Sequence, residues 1–416
     1  MAHVNGKTVF IDGALPGETV LFLYTRRRAK FAEGYTVAVL QPSPRRIQPR
    51  CSHYDICGGC SLQHMSSQDQ LEHKQRVLLE QLQHIGNIVP EQILPPLAGS
   101  EWGYRRKARL GAKYVFKKQR LLLGFREKRS NYIADLQQCE VLHPSIGRHL
   151  TELRDVIGSL EAFDQIPQIE IAVGSNNPAL ILRHLIHLPE TDRSRLNDIQ
   201  GTMNISVFLQ SGGPETVTPL NAQTRTDLYY QLDDFGLDIH FLPGDFTQVN
   251  FDINRAMIQL VLDMLALQSS DTVLDLFCGL GNFSLPMAGR CSFVSGVELS
   301  EQLVRRAREN AGRNRIENIA FHSLDLMQQN LDSTVFQGAY NKILIDPPRN
   351  GAKEIISHLH YDNVEKLVYV SCNPATLARD AGVLVRDKGL LLKQAGILDM
   401  FPQTSHVESV ALFEHK

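Results

Sequence analysis

From residue 246 onward, short and almost unbroken apolar runs alternate with stretches of helical period. Ile253, Met257, Leu260, Val261, Met264 and Leu265 recur at three- and four-residue spacing and predict a helix. Residues 272–277, 292–297, 343–345, 367–371 and 407–413 predict buried strands, with helices over 301–313, 352–359 and 374–386 between them. Such alternation predicts an α/β unit on a parallel, doubly wound sheet. Upstream the texture differs. Residues 101–245 read mostly as strands and loops (107–114, 121–126, 168–173, 179–184, 203–210 and 228–232) and predict an α+β region. The first forty residues give three short strands, 7–11, 19–24 and 35–40, broken by Asp12-Gly13 and Pro16-Gly17. That is the pattern of a small β-barrel of the oligonucleotide-binding kind. After a Pro-rich basic linker, Leu71, Leu78, Leu82 and Ile85 fall on one helical face. The expected units are 1–43, 44–245 and 246–416, with the helix near 66–86 expected to pack against the last.

Charge sharpens this division. Residues 1–130 carry 21 Lys and Arg against 10 Asp and Glu, while the whole chain has a net charge of −2. A basic front joined to an acidic remainder points to a polyanionic partner. No apolar run approaches the ~20 residues of a membrane span, and Met1-Ala2-His3-Val4-Asn5-Gly6-Lys7 is no signal peptide. A cytoplasmic protein without a membrane partner is expected. Seven cysteines, three of them clustered at Cys51, Cys57 and Cys60, argue against a disulfide framework. With the distant Cys139 they offer four thiolates, enough for a zinc ion or an iron–sulfur cluster, and spacing alone does not choose.

The candidate chemistry lies at strand ends. Asp275-Leu276-Phe277-Cys278-Gly279-Leu280-Gly281-Asn282 closes a strand in a glycine turn that a ligand can approach closely. Ser284 stands where a dinucleotide site needs a third glycine. Glu298 ends the next strand, placed to bind both hydroxyls of a ribose. S-adenosylmethionine, which has a ribose and no pyrophosphate, satisfies both conditions. Asp325 suits the adenine edge, and Asp346-Pro347-Pro348 ends the fourth strand with Arg349 where amino-group methyltransferases carry an aromatic residue. Cys372, in Ser371-Cys372-Asn373-Pro374, follows the next strand. A thiol beside a methyl donor suits methylation of a carbon: addition at C6 of uracil makes C5 nucleophilic, and a base must then remove the C5 proton. Glu408 is the first candidate for that base and His406 the second.

Together, Phe246-Thr247-Gln248-Val249-Asn250, Asp275-Leu276-Phe277-Cys278-Gly279, Asp346-Pro347-Pro348-Arg349, Ser371-Cys372-Asn373-Pro374 and His406-Val407-Glu408 resemble the RNA uridine-C5 methyltransferases from Cys51 to the C-terminus. The resemblance implies that Gln248, Phe277, Asn282, Glu298, Asp325 and Asp346 contact S-adenosylmethionine, that Cys372 is the nucleophile and Glu408 the base. It also implies that Cys51, Cys57, Cys60 and Cys139 hold a [4Fe-4S] cluster. Because the family's tRNA enzymes lack the cluster, 23S rRNA is the expected substrate, its uridine in a loop or single strand and flipped from the stack, with no obligate protein partner. Residues 9–18 resemble a TRAM domain, an RNA-binding barrel whose first strand would lie before Met1. Arg26-Arg27-Arg28-Ala29-Lys30 and Tyr104-Arg105-Arg106-Lys107-Ala108-Arg109 are expected phosphate contacts. The alternatives are the same chemistry on another rRNA uridine or on tRNA, or an RNA-binding module of ribosome assembly.

Overall fold

A computed structural model describes residues 1–328 and 334–415. The chain opens on a four-stranded sheet: β1 (Ala2–Val4), β2 (Lys7–Asp12), β3 (Thr19–Arg27) and β4 (Phe31–Gln41), ordered β1-β2-β4-β3 with β2 and β4 parallel. Three strands of a small barrel whose first strand lies before Met1 are expected from sequence. Instead Ala2–Val4 adds a fourth strand and, among the described residues, the ladder stays open between β1 and β3.

Helix α1 (Ser67–Gln81) starts where the Ser66 hydroxyl accepts the Asp69 N–H at 3.2 Å. It continues through a π-helical turn, Leu82–Gly86, to the two-residue strand β5 (Gln92–Ile93). The central sheet comprises β6 (Lys107–Val115), β7 (Arg120–Gly124), β8 (Gln168–Val173), β9 (Pro178–Arg183), β10 (Ser206–Gln210) and β11 (Val217–Pro219), ordered β11-β10-β9-β8-β6-β7. Helices α2 (Pro144–Gly147), α3 (Leu150–Gly158) and α4 (Glu190–Met203) accompany it. The polar segment of α4 carries only Leu196 and Ile199 as buried apolar anchors, too few for its period to stand out in the sequence. A hairpin, β12 (Leu228–Leu232) and β13 (Leu237–Phe241), leads into the last region.

That region contains α5 (Phe251–Leu265), β14 (Thr272–Leu276), α6 (Ser284–Ala288), β15 (Phe293–Glu298), α7 (Glu301–Arg313), β16 (Ile319–Ser323), β17 (Lys342–Ile345), α8 (Lys353–His358), β18 (Lys366–Ser371), α9 (Pro374–Arg386), β19 (Leu390–Leu398) and β20 (Glu408–His415). Its eight strands are ordered β16-β15-β14-β17-β18-β20-β19-β5. Strands β14 to β18 are parallel, which explains buried runs such as Leu367-Val368-Tyr369-Val370, fully apolar on both faces. The sheet is mixed rather than wholly parallel, because β20 lies antiparallel to both β18 and β19.

The chain runs outward from β14 through β15 to β16, then returns to β17 on the other side. This reversal opens a crevice at the strands' carboxyl ends. Strand β5 joins the far edge, parallel to β19. The π-helical turn lies against α9 so closely that a Cβ on Gly86 would sit 2.7 Å from the Ala378 carbonyl oxygen. Among the described residues no helix is long and apolar enough to cross a membrane.

Candidate active site

The glycine turn after β14 is built from unusual backbone. Phe277 has φ 66°, Gly279 φ 55° and Gly281 φ 88°, and a Cβ on Gly279 would meet nothing within 4 Å, so the turn faces open space. Glu298, half-buried at the end of β15, spans this turn and the next helix. One carboxylate oxygen accepts the Gly279 N–H at 3.2 Å and the other the Ser300 N–H at 3.0 Å. Asn282 is held by Asn254 of α5 through paired amide bonds of 2.9 Å and accepts from the Tyr230 hydroxyl at 2.8 Å. The half-buried Gln248 lies just before Asn250, whose side chain caps α5, so the motif at 246–250 and the glycine turn meet through this helix. Asp325 stands beyond β16, half-buried, accepting from Met327 N at 3.0 Å.

Beneath the turn, the Ser284 hydroxyl donates to the buried Asp275 carboxylate. Burial first, then Asp346 and Glu298, push Asp275 up to about 7. Ser284 therefore ties down an acid under the turn where a third glycine would leave it free. Tyr230, Asn254 and the Asp275–Ser284 pair were not foreseen from sequence, since each depends on elements meeting in space.

Asp346 follows β17, where desolvation raises its carboxyl to about 7. The antiparallel register of β18 and β20 pairs Ser371 with Ser409, with Cys372 following Ser371 and Glu408 preceding Ser409. Burial first, then Glu408 and Asp346, push the half-buried Cys372 thiol up to about 11, while Arg349 pulls it down. Glu408 is 6% exposed, and burial, reinforced by Asp346, raises its carboxyl to about 8 against the opposing Arg349. The Cys372 thiol and the Glu408 carboxyl thus both feel the Arg349 cation and the Asp346 carboxyl. The His406 Nε2 lies 2.8 Å from the Arg349 guanidinium, and its ring packs on Phe401 at 5.0 Å.

The loops carrying these groups are stitched together. Asn373 and Thr376 both donate to the Arg349 carbonyl, at 3.1 and 3.3 Å. The buried Asp380 accepts from Ala352 N and the Tyr369 hydroxyl, each at 2.8 Å. A cleft of about 900 Å³ opens from His406 and Phe401 past Arg105, Arg109, Arg126 and Lys128.

Cys51, Cys57, Cys60 and Cys139 line one small cavity with Tyr54 and Phe125. All four are free thiols raised by burial, Cys60 to about 11 and Cys139 to about 12. Among the described residues no group of three or more His, Cys, Asp or Glu is arranged to hold a metal ion.

Residues 224–416 match the family model described as tRNA (Uracil-5-)-methyltransferase. Fold and site define an S-adenosylmethionine-dependent methyltransferase. The chain belongs to the RNA uracil-C5 methyltransferase family. It is 51% identical over 417 residues to the 23S rRNA (uracil(1939)-C(5))-methyltransferase RlmD of Nitrosococcus oceani, covering 100% of this chain and 93% of that one. The RlmD of Alcanivorax borkumensis is 50% identical over 417 residues, with coverage of 100% and 93%. A crystal structure of the Pyrococcus abyssi tRNA (uracil-54, C5)-methyltransferase with S-adenosyl-L-homocysteine shares the fold: TM-score 0.74, 22% identity, 98% of this chain and 96% of that one.

Proposed function

We propose that this protein transfers a methyl group from S-adenosylmethionine to C5 of a uridine in 23S rRNA, the nucleotide equivalent to 1939 named for its relatives. The observation that supports the mechanism is the β18–β20 register, whose last pair, Ser371 with Ser409, adjoins Cys372 on one strand and Glu408 on the other. Gln248, Phe277, Asn282, Glu298, Asp325 and Asp346 hold the donor, with Glu298 on the ribose and Asp325 near adenine. The target uridine leaves its stack to enter the crevice.

The Cys372 thiolate adds to C6, and the displaced π electrons make C5 enolate-like. C5 attacks the sulfonium methyl, releasing S-adenosylhomocysteine. Glu408 takes the C5 proton, and the electrons of that C–H bond restore the double bond as the C6–S bond breaks. Arg349 is the cation that favours both anionic forms. The basic cleft accommodates flanking RNA, and exposed Arg26, Arg27, Arg28 and Lys30 on the first sheet add phosphate contacts.

Unmodified 23S rRNA incubated with methyl-labelled S-adenosylmethionine and digested to nucleosides should yield labelled 5-methyluridine, mapped to one position. Absence of 5-methyluridine removes the enzymatic reading, and label in tRNA instead moves the substrate.

Cys51, Cys57, Cys60 and Cys139 would hold a [4Fe-4S] cluster. The fit rests on four thiols around one common cavity, a donor set suited to one thiolate per iron. Bound iron would favour the thiolates that burial disfavours. Anaerobic purification should give brown protein with about four iron and four sulfide per chain, and Cys60→Ser should lose both. Stoichiometric zinc instead would overturn the assignment.

A further inference from the structure

Residues 399–406 connect β19 to the strand that begins at Glu408, and His406 at their end holds Arg349. This loop is gripped from the front third of the chain. Lys74 of α1, 1% exposed, donates to Asp399 Oδ1 at 2.6 Å and to the Phe401 carbonyl at 3.0 Å. One helical turn earlier, the Gln70 amide donates to Gln403 Oε1 at 2.9 Å and accepts the Gln403 N–H at 3.0 Å. The Gln403 carbonyl accepts the N–H groups of Ser61 and Leu62 at 2.9 and 3.0 Å. The Ser61 hydroxyl accepts from Ser405 N at 2.9 Å, and the Tyr104 hydroxyl donates to the Pro402 carbonyl at 2.9 Å.

Two features set these contacts apart from ordinary packing. Gln403 is buried with φ 67°, a left-handed conformation that is unfavourable for a side chain with a Cβ and persists only where neighbours fix it. Lys74 buries an ammonium group, which an apolar residue would replace at lower cost if anchoring alone were needed. All of these bonds converge on residues 399–405, and the next residues are His406, Val407 and Glu408.

We propose that Ser61, Gln70 and Lys74 are positioning residues for the methyl-transfer reaction, fixing the 399–406 loop so that His406 holds Arg349 and Glu408 faces Cys372. The proposal rests on Glu408 being the base. Because the proposed donor residues lie before α5 and at or beyond the ends of β14 to β17, outside the braced loop, the brace governs the later steps and not cofactor binding.

In the full chain, Gln70→Ala removes both bonds to Gln403, and Ser61→Ala removes the hydroxyl from Ser405 N. Each should lower kcat at least tenfold, leave the Kd for S-adenosylmethionine within twofold, and build up a covalent RNA–protein adduct during turnover. Ser61→Thr, which keeps the hydroxyl, should restore turnover. Turnover within twofold of the parent in both alanine variants overturns the proposal. So does a fall in turnover matched by an equal fall in cofactor-binding sites, the mark of a merely structural role. Glu408→Gln run in parallel separates the two readings. If it forms adduct and Gln70→Ala does not, the brace fails. If Glu408→Gln forms none, the base assignment fails, and the brace, which rests on it, fails with it.

Discussion

Cys372→Ala should lower methyl transfer by on the order of 10⁴-fold or more, the scale of losing a covalent nucleophile, while S-adenosylmethionine binds within twofold of normal. The separation follows from topology: the thiol follows β18, whereas the proposed donor residues lie before α5 and at or beyond the ends of β14, β15, β16 and β17. Single-turnover transfer and equilibrium binding measure the two halves independently, and retained turnover would refute the nucleophile. The thiol's position at about 11 adds a condition. That position already includes the pull of Arg349, so bound substrate must favour the anion further before attack.

Glu408→Gln should block the step after methyl transfer. Turnover should fall by about 10²–10⁴-fold, the usual contribution of a general base, with the Cys372–RNA adduct accumulating on a denaturing gel. Normal turnover would make another group, such as water, the base. The raised carboxyl also fixes a pH dependence. In the parent protein, kcat/KM should fall as pH drops through 8, because the base becomes protonated.

Stability moves the other way. The folded protein keeps a proton on Glu408 that the unfolded chain releases above about 4.5, so stability present below that pH is lost as pH rises toward 8. Glutamine does not titrate. Glu408→Gln should therefore melt above the parent at pH 8, by an amount on the order of a few kcal/mol, and match it near pH 4. A variant that melts lower at pH 8 would contradict the buried setting of this acid.

Features encoded within a few residues were legible in the sequence. The buried strand before Cys372 and the glycine turn depend on local pattern. The sequence was silent where stability comes from partners. Strand β19 hides behind Lys393, Gln394 and Gly396; β5 has only two residues and exists because β19 offers an edge. The mixed sheet was missed because strand direction is set by topology, not by composition. In the site, the residue types at 346, 372 and 408 were readable, but their mutual influence required the β18–β20 register. The Asn254–Asn282 and Gln70–Gln403 pairs join residues 28 and 333 positions apart, beyond any local signal.

The edge position of β5 bears on how the chain is made. Gln92 and its β19 partner Gln394 lie 302 residues apart. At ~5–20 residues per second of synthesis, the front segment waits about 15–60 s for the strand it joins. Throughout that interval Leu78 and Leu82, fully buried in the finished protein, have no α9 to lie against. Nascent chains stalled before residue 390 should therefore engage chaperones through the 67–93 segment, and release should coincide with emergence of the final two strands.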